Sequence, residues 1–480
     1  MKISDLLLSV LVSSALAAAD PALPLVKSNQ LRRLINKSSL RARVRELHGI
    51  AMRNGGHRAA GSPGSVETME WIENQIPTNY YNVERQYFEF SIPINSCSMT
   101  VNGTQPGFDF CFGSLGQHIN TTITAPLALV PNLGCEASDY TGFAGKIAFI
   151  RSGSTCDHKL QFNLSVAAGA IGIVSASIPD DTLNARRDID LNTRRDLSLD
   201  DPDLPNVGVV YTSGPNAQAV LEMLENGDQP TTIDIQVEWE YTYTANVFAT
   251  TKGGNQSSII TVGAHMDGVK GGPGINDNGS GTIAQIEVAK ALSNFSVKNA
   301  IRFCWWGGEE QGLRGSRHYT TQLSAAEKSK IVMNLNFDMI ASPNYRYGVL
   351  PGDDPLVPPR NPSTGSAEIK QHFLDFFAKT GRNAVLADLV PSSDHWPFLD
   401  VGIPVGGIFM GAGGLKSEEE VTLFGGQAGV PYDSCYHKAC DDKQNVNYQA
   451  FMTGAKAMAD AVATYGRSIK DFPFPRPAAV

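Results

Sequence analysis

The chain has 480 residues, of which 42% are hydrophobic and 18% charged, and its formal net charge is −9. This composition is that of a globular protein long enough for two or three domains. The acidic balance argues against nucleic acid and anionic membrane as partners, because both require a basic face.

The N-terminus has the pattern of a secretory signal. Lys2 gives a positive start, residues 6–11 are an apolar run, and small residues at 15–19 supply a cleavage site. The apolar run is too short to span a bilayer, and no other stretch approaches twenty apolar residues. We therefore expect residues 1–19 to be a signal peptide and the protein to be secreted, with a vacuolar location as the less favoured alternative.

Two further features agree with an oxidising compartment. The chain has seven cysteines, and proximity along the chain predicts the pairs Cys97–Cys111, Cys135–Cys156 and Cys435–Cys440. Cys304 lies in an apolar run and is predicted to be a buried thiol. Glycosylation sequons occur at Asn36, Asn102, Asn120, Asn163, Asn255, Asn278 and Asn294.

The chain divides into segments that differ in composition and in predicted secondary structure. Residues 20–114 carry helical patterns and an extended segment, and we assign them to the N-terminal part of the larger domain. Residues 115–237 alternate short β-rich runs with helical patterns, which predicts a small separate α/β module. Its charged stretch, residues 180–203, indicates a solvated loop, with a dibasic processing site as the alternative.

Residues 238–480 alternate apolar strands with helical patterns, which predicts an α/β sheet with helices on both faces. The predicted strands are 259–264, 301–306, 331–337 and 405–410, and the predicted helices are 282–292, 367–379 and 447–465.

The first chemical signal follows the strand at 259–264. His265 comes just past the carboxyl end of that strand, where an α/β sheet places its ligands. Asp267 is close enough to accept the other imidazole N–H, which is how metal-binding histidines are commonly oriented. Ten residues further on, a glycine-rich turn carries Asp277, and this carboxylate could bridge two cations; a simple helix cap is the alternative.

More carboxylates follow the next two strands. Glu309 and Glu310 come after two tryptophans, and adjacent side chains point apart, so that one can bind metal while the other faces the substrate. Asp338 ends another apolar strand and needs a partner, for which a metal ion is the natural candidate. Near the C-terminus, His437 is a further candidate ligand, and Tyr436 is a candidate donor to a developing oxyanion.

The number of these residues matches a two-metal site. One histidine and one carboxylate for each ion, with one shared carboxylate, require two histidines and three acids. Nitrogen and oxygen ligands without a thiolate suit zinc. The predicted ligands of two zinc ions are His265, Asp277, Glu310, Asp338 and His437.

Five motifs occur in an order that resembles a known family. They are Gly-Ala-His-x-Asp, Ile-Asn-Asp-Asn-Gly-Ser-Gly, Trp-Gly-Gly-Glu-Glu-x-Gly-Leu-x-Gly-Ser, Asn-Phe-Asp-Met-Ile and Tyr-His-x-x-x-Asp. The chain resembles the co-catalytic zinc exopeptidases that include secreted fungal leucine aminopeptidases. The resemblance implies a mixed central β-sheet flanked by helices, and residues 115–237 resemble a protease-associated domain inserted between residues 20–114 and 238–480.

The resemblance also implies roles for individual residues. Asp277 would bridge both zinc ions, with His265 and Asp338 completing one site and Glu310 and His437 the other. Glu309 would be the general base, Asp267 would orient His265, and Tyr436 would stabilise the tetrahedral intermediate. A cis peptide is expected between Asp277 and Asn278, and we expect the sequon of Asn278 to stay unmodified.

The implied activity is removal of apolar residues, leucine among them, from peptides with a free N-terminus, by a monomer. The same chemistry with another specificity (carboxypeptidase, dipeptidase or glutaminyl cyclase) is one alternative. A receptor-like protein without catalysis is another, although such proteins lose ligands or the base and this chain keeps them. His395, in a segment with Asp394, competes as a ligand, but we interpret both residues as supporting the site rather than binding metal.

Overall fold

The computed structural model describes residues 23–108, 110–112, 119–151, 156, 158–178, 207–351, 365–387 and 392–473. The predicted signal peptide (1–19) and the charged loop (180–203) lie outside the described residues. Among the helices that are described, none is long and apolar enough to cross a membrane.

The N-terminal part forms three helices and a long strand. Asn36 and Ser62 cap the second and third helices by accepting hydrogen bonds from main-chain N–H groups, as such residues commonly do. The elements are α1 (Ser28–Leu34), α2 (Lys37–Arg53), α3 (Pro63–Gln75) and β1 (Tyr81–Val101).

The next part, which contains the predicted module, is a small sheet with two described helices. It consists of β2 (Phe110–Phe112), β3 (Ile119–Leu129), β4 (Ile147–Arg151), α4 (His158–Ala167), β5 (Gly172–Ser177), β6 (Val209–Ser213) and α5 (Gly214–Leu224), with 3₁₀ turns at Pro131–Gly134 and Ala137–Tyr140. Strands β3 to β6 pair in parallel, and β2 pairs antiparallel with β6.

The remaining elements form the larger sheet and its helices. They are β7 (Gln229–Thr251), β8 (Asn255–His265), α6 (Gly279–Leu292), β9 (Asn299–Trp306), α7 (Arg314–Gln322), α8 (Ala325–Lys328), β10 (Ile331–Asp338), β11 (Gly348–Val349), α9 (Ser366–Lys379), β12 (Val385–Leu386), α10 (Trp396–Asp400), β13 (Val405–Phe409), α11 (Glu418–Phe424) and α12 (Tyr448–Arg467), with a 3₁₀ turn at Glu309–Gln311. Parallel pairs β13–β10–β8–β9 form its centre, and β7 adds antiparallel to β9.

Two long strands join the two sheets. β1 and β7 pair antiparallel from Tyr81 opposite Thr251 to Val101 opposite Thr231, while β7 also pairs with β9 at one end and with β3 at the other. The described strands therefore make one continuous sheet in the order β12-β11-β13-β10-β8-β9-β7-β3-β4-β5-β6-β2. This mixed α/β architecture confirms the predicted fold class.

The larger sheet is covered on both faces. Along β9, Phe303 and Trp305 pack into a core under the helices that include α2, α6 and α12, whereas Cys304 and Trp306 pack into a second core on the opposite face. Strands buried on both faces read as continuous apolar runs rather than as alternating ones, which is why β9 was recognisable in the sequence.

The smaller sheet has its own cores, and one of them includes residues that precede position 115. Met99, Val101 and Cys111 pack with Phe149 and its neighbours. β7 in turn runs through positions 237 and 238. The boundaries proposed for the inserted domain stay predictions.

The cysteine predictions are confirmed. Disulfides join Cys97 to Cys111, Cys135 to Cys156 and Cys435 to Cys440. Cys304 is a buried free thiol, and burial raises its pKa.

Candidate metal centre

Three neighbouring strands deliver side chains to the same edge of the larger sheet. His265 is the last residue of β8 and Asp338 the last residue of β10, while Glu309 follows the end of β9 at Trp306. Because these strands are parallel, their carboxyl ends meet at one edge, where α/β folds bind their ligands.

The carboxylate of Asp277 lies between the two histidines. Its Oδ1 is 3.2 Å from Nε2 of His265, and its Oδ2 is 3.1 Å from Nε2 of His437. Each oxygen therefore faces a different imidazole, which is the arrangement that a carboxylate shared by two ions requires.

Each histidine has a second carboxylate beside it. Nε2 of His265 is 3.4 Å from Oδ1 of Asp338, and Nε2 of His437 is 3.0 Å from Oε2 of Glu310. Two triads share Asp277, and within each of them the ligand atoms lie within 4.8 Å of one another. The structure thus brings all of the predicted ligands together, and a third group of His265, Glu309 and Glu310 also lies within this distance.

The donor set and its charge both fit zinc. Imidazole nitrogens and carboxylate oxygens without thiolate are ligands that zinc accepts. Glu309, Glu310, Asp277 and Asp338 bring four negative charges into a largely buried site. Buried charges of one sign are costly unless they are paired, and two divalent cations would balance these four.

The carboxylates strongly perturb the two imidazoles. Burial lowers the pKa of His265, but the nearby charges of Glu309 and Asp338 outweigh burial and hold the pKa well above its usual value. For His437 burial again lowers the pKa, and Glu310 and Asp277 overcome it and raise the pKa to about 10. Burial raises the pKa of Asp277, yet hydrogen bonds from the two histidines bring it far below its usual range.

Glu309 is placed differently from its neighbour Glu310. Its side chain is fully buried, and its Oε2 lies 3.8 Å from Nε2 of His265. The 3₁₀ turn that carries both acids is bounded by Gly308 and Gly312, each with a positive φ that glycine adopts without strain. Ligand atoms of Glu309, Glu310 and His265 also lie within 4.8 Å of one another, so this tight turn brings both acids to the centre.

Asp267 contacts His265 through its main chain. Nδ1 of His265 lies 3.2 Å from the carbonyl oxygen of Asp267 and 3.9 Å from its carboxylate Oδ1. The carboxylate instead accepts a hydrogen bond of 3.2 Å from the main-chain N–H of Glu309. Burial raises the pKa of Asp267 to about 6, against the opposing charge of His265.

The loop that carries His437 is closed by a disulfide and packs against the centre. The Cys435–Cys440 disulfide closes the loop, and His437 itself has a positive φ of 58°. The ring of Tyr436 stacks on the imidazole of His437 with ring centroids 3.9 Å apart. Tyr436 therefore borders the centre, and its role as a donor to the oxyanion stays a prediction.

Asp441 is a supporting residue to which the sequence assigned no role. Its two carboxylate oxygens accept hydrogen bonds of 2.8 and 3.0 Å from the main-chain N–H groups of Asn276 and Asp277. Burial raises the pKa of Asp441 to about 7, and the nearby charge of Asp433 adds to the rise. The Tyr-His-x-x-x-Asp spacing contained this residue, but only the folded chain shows what it binds.

Asn278 ties the Asp277 turn to helix α6. The peptide between Asp277 and Asn278 is cis, as the resemblance implied. The Asn278 side chain caps α6 by accepting from the N–H of Gly281 at 2.9 Å, and it donates to the carbonyl of Phe337 at 3.0 Å. Its complete burial supports the expectation that its sequon carries no glycan.

The segment with His395 lies behind the centre. Ser393 donates to Oδ2 of Asp338 at 2.7 Å and accepts from Asn336 at 2.9 Å. Asp394 is fully buried, and burial raises its pKa to about 7 although the charge of His265 opposes the rise. Among the residues that the structure describes, neither Asp394 nor His395 belongs to a possible metal-binding group.

The chain is similar to known families and sequences. The model of peptidase family M28 matches residues 246–462, and that of the PA domain matches residues 123–216. A probable leucine aminopeptidase 2 from Aspergillus fumigatus is 38% identical over 426 residues, which are 87% of this chain and 81% of the relative. Leucine aminopeptidase 2 of Trichophyton rubrum is 35% identical and covers 94% of this chain and 89% of its own.

Solved structures share the fold. An aminopeptidase from Aneurinibacillus sp. strain AM-1 superposes with a TM-score of 0.66 at 22% identity, covering 94% of this chain and all of its own. A zinc aminopeptidase from Bacillus subtilis has a TM-score of 0.60 at 21% identity, with 91% of this chain and 96% of its own covered.

Proposed function

Because the chain belongs to peptidase family M28 and is a zinc-dependent aminopeptidase, we propose that it removes apolar N-terminal residues from peptides with two zinc ions and Glu309 as general base. Leucine is the first residue to test, since the relatives from Aspergillus fumigatus and Trichophyton rubrum are named leucine aminopeptidases. The observation that carries the proposal is the Asp277 carboxylate, whose two oxygens face two different histidines.

The residues divide into two ligand sets. His265 and Asp338 would hold one zinc ion, His437 and Glu310 the other, and Asp277 would bind both. When bound, the two ions lower the pKa of a water molecule and polarise the carbonyl of the scissile peptide bond.

Glu309 handles the proton in this proposal. Its carboxylate is buried beside His265, where it can accept a proton from the attacking water and then donate it to the leaving amine. The hydrogen bond from its main-chain N–H to Asp267 fixes the turn from which it acts. Asp267 therefore orients His265 through its carbonyl and Glu309 through its carboxylate.

Two further features fit cleavage at the first peptide bond. Tyr436, packed on His437, is our candidate donor to the oxyanion that develops on the carbonyl oxygen. The free α-amine of the substrate is a cation and would be attracted to the carboxylates that crowd the centre. A peptide with a blocked N-terminus has no such charge.

We also propose that the enzyme is a secreted, glycosylated monomer and that residues 115–237 form an inserted protease-associated domain. The signal-like residues 1–19 and the three disulfides support secretion, because disulfides persist in oxidising compartments. In this proposal the inserted domain filters substrates or covers the entrance of the site, and neither nucleic acid nor membrane is a partner.

Hydrolysis of leucine p-nitroanilide against its N-acetylated form tests the reaction. We expect cleavage of the free amine alone, loss of activity with a chelator, and recovery when zinc is added back. Titration of the zinc-free protein should end at two ions per chain. If neither substrate is cleaved while zinc stays tightly bound, the specificity is wrong and a carboxypeptidase or cyclase activity is to be assayed.

The role of Glu309 is tested by Glu309→Gln. This substitution keeps the size of the side chain but removes the proton acceptor, so we expect kcat to fall about 10²- to 10⁴-fold while two zinc ions remain bound. Glu225→Gln, at the end of α5 in the smaller sheet, is the matched control and should leave kcat unchanged. Unchanged activity of Glu309→Gln would rule out its role as the base.

A further inference from the structure

A completely buried arginine lies beneath the metal centre. Arg58 comes from the loop between α2 and α3, and its side chain is 0% exposed. Its Nε donates to the carbonyl of Pro273 at 2.9 Å, and its two terminal nitrogens donate to the carbonyls of Met266 and Gly274. The guanidinium thus bonds only to main-chain oxygens in these contacts.

Of the glycines around this side chain, Gly274 leaves the least room for a larger residue. A Cβ on Gly274 would lie 3.0 Å from Nη2 of Arg58, and Cβ atoms on Gly268 and Gly279 would lie 3.6 and 3.9 Å from it. Gly274 also has a positive φ of 64°. Gly274 belongs to the motif that carries Asp277, and a Cβ there would lie 2.5 Å from the carbonyl oxygen of Asp277 as well as close to Arg58.

The three carbonyls belong to the two loops that hold the shared centre. Met266 directly follows His265, and Pro273 and Gly274 begin the turn that ends at Asp277. On the amide side of the same turn, Asp441 accepts the N–H groups of Asn276 and Asp277. A cation therefore binds the carbonyls of the turn, and an anion binds its amides.

Electrostatics explains why a buried guanidinium is tolerated here. Burial lowers the pKa of Arg58, whereas the charges of Asp267, Asp441, Asp277 and Glu310 oppose this effect. A buried cation without compensating charges would be costly. An arginine stays charged under all ordinary conditions and presents several donors in a rigid fork, which suits three carbonyls at fixed positions.

We propose that Arg58 is a positioning residue that holds the His265 and Asp277 loops at the separation that two zinc ions need. This inference rests on the proposed function for the identity of the ions. Arg58 acts through the carbonyls of the two loops and does not touch the substrate or the reacting atoms. Its effect is already present in the zinc-free protein, because the three hydrogen bonds need no ion.

The experiment compares Arg58→Met, Arg58→Lys and Arg85→Met with the wild type. Methionine fills much of the space without donors, and lysine keeps the charge but lacks the fork. Arg85 makes two hydrogen bonds of 2.6 Å to Glu73 outside the centre, so Arg85→Met controls for the general loss of an arginine. Two readouts are taken: hydrogen exchange of residues 266–277 in the zinc-free protein, and zinc affinity by chelator competition.

We expect Arg58→Met to speed exchange in residues 266–277 about tenfold and to weaken zinc binding about 10- to 100-fold. Arg58→Lys should recover part of both losses, and Arg85→Met should change neither. Exchange and zinc affinity equal to those of the wild type would overturn the inference. If Arg58→Met does not fold, the result for Arg58→Lys decides. A zinc affinity several-fold weaker than that of the wild type supports the inference, and an unchanged zinc affinity overturns it.

The two proposals fail separately. A wild-type protein that binds no zinc would contradict the proposed function, while the exchange of residues 266–277 would still show whether Arg58 holds the loops. If the wild type binds two zinc ions and Arg58→Met binds them equally tightly, only the role of Arg58 is contradicted.

Discussion

The two ends of the continuous sheet are built alike but carry different residues at their strand ends. In the larger sheet, β8 and β10 are parallel, buried strands that end at His265 and Asp338. In the smaller sheet, β4 and β6 belong to a parallel group as well, but they end at Arg151 and Ser213. Within the described part of the chain, every possible metal-binding group lies in the larger sheet's half.

This difference shows that the architecture supplies positions and not chemistry. Parallel strands bring their carboxyl ends to one edge in both halves, yet among the described residues the possible metal-binding groups lie at only one of these edges. The larger half also concentrates supporting contacts around those residues, such as Asp441 on the Asp277 turn. Substitutions in the larger half should therefore change zinc binding and turnover, whereas matched substitutions in the smaller half should not.

The largest effect is expected from Asp277→Asn. An amide cannot supply two anionic oxygens to two ions, so we expect loss of at least one zinc ion and a fall in kcat of about 10³-fold or more. Asp234→Asn in the smaller half, where the carboxylate accepts from Thr122 at 2.8 Å, is the matched control and should leave both unchanged. Zinc content by atomic emission and kcat on leucine p-nitroanilide provide the measurements.

If Asp277→Asn kept two zinc ions and normal turnover, the shared-carboxylate assignment would be lost. If the Asp234→Asn control lost activity instead, the smaller half would take part in catalysis, and the contrast between the two halves would not hold.

The sequence predicted the part of the centre that is local. His265 and Asp338 were recognisable because each ends a buried apolar strand, and the motif order indicated which residues join them. The orienting contact of Asp267 was only partly foreseen. With a spacing of two residues, the nearer acceptor for the imidazole is the main-chain carbonyl, and the carboxylate is left to bind the turn of Glu309.

The distant contacts were not predictable from one sequence. Asp441 binds Asn276 across 165 positions, and Arg58 binds Pro273 across 215. Neither residue stands in a pattern that indicates its partner. The pairing of β1 with β7 was not predicted for the same reason. It joins segments about 150 residues apart that belong to parts of the chain with different secondary-structure patterns.

An intermediate effect is expected from the disulfides, and it should differ between the halves. Replacing Cys135 and Cys156 with alanine opens a link between residues 21 positions apart, which should cost about 3 kcal/mol of stability and leave kcat unchanged. Replacing Cys435 and Cys440 opens a link of 5 positions, which should cost about 2 kcal/mol by the same rule. The second change also frees the His437 loop, so zinc affinity should fall about tenfold.

Thermal unfolding and chelator competition on both double variants measure these effects. Equal zinc affinities in the two variants would show that the Cys435–Cys440 bridge does not position His437.

The smallest effect concerns the docking of α1 on α12 in the larger half. Asp460 accepts from Ser28 and lies 3.3 Å from both Arg32 and His372. Burial raises the pKa of Asp460, but nearby His372, the hydrogen bond from Ser28 and the charge of Arg32 bring it below its usual value. Its contribution to stability is therefore fully present above the unfolded pKa of about 3.9 and is lost as the pH falls through the lower folded value.

We accordingly expect Asp460→Asn to lower the Tm of the zinc-free protein by about 1–2 °C near pH 7, and this difference should shrink as the pH falls below about 3.9. Asp228→Asn, which removes an exposed pair with Lys146 in the smaller half, should change the Tm little at any pH, because solvent screens such pairs. Scanning fluorimetry of both variants from pH 2 to 7 makes the comparison. A Tm difference for Asp460→Asn that stayed constant over this range would mean that packing, and not charge, joins α1 to α12.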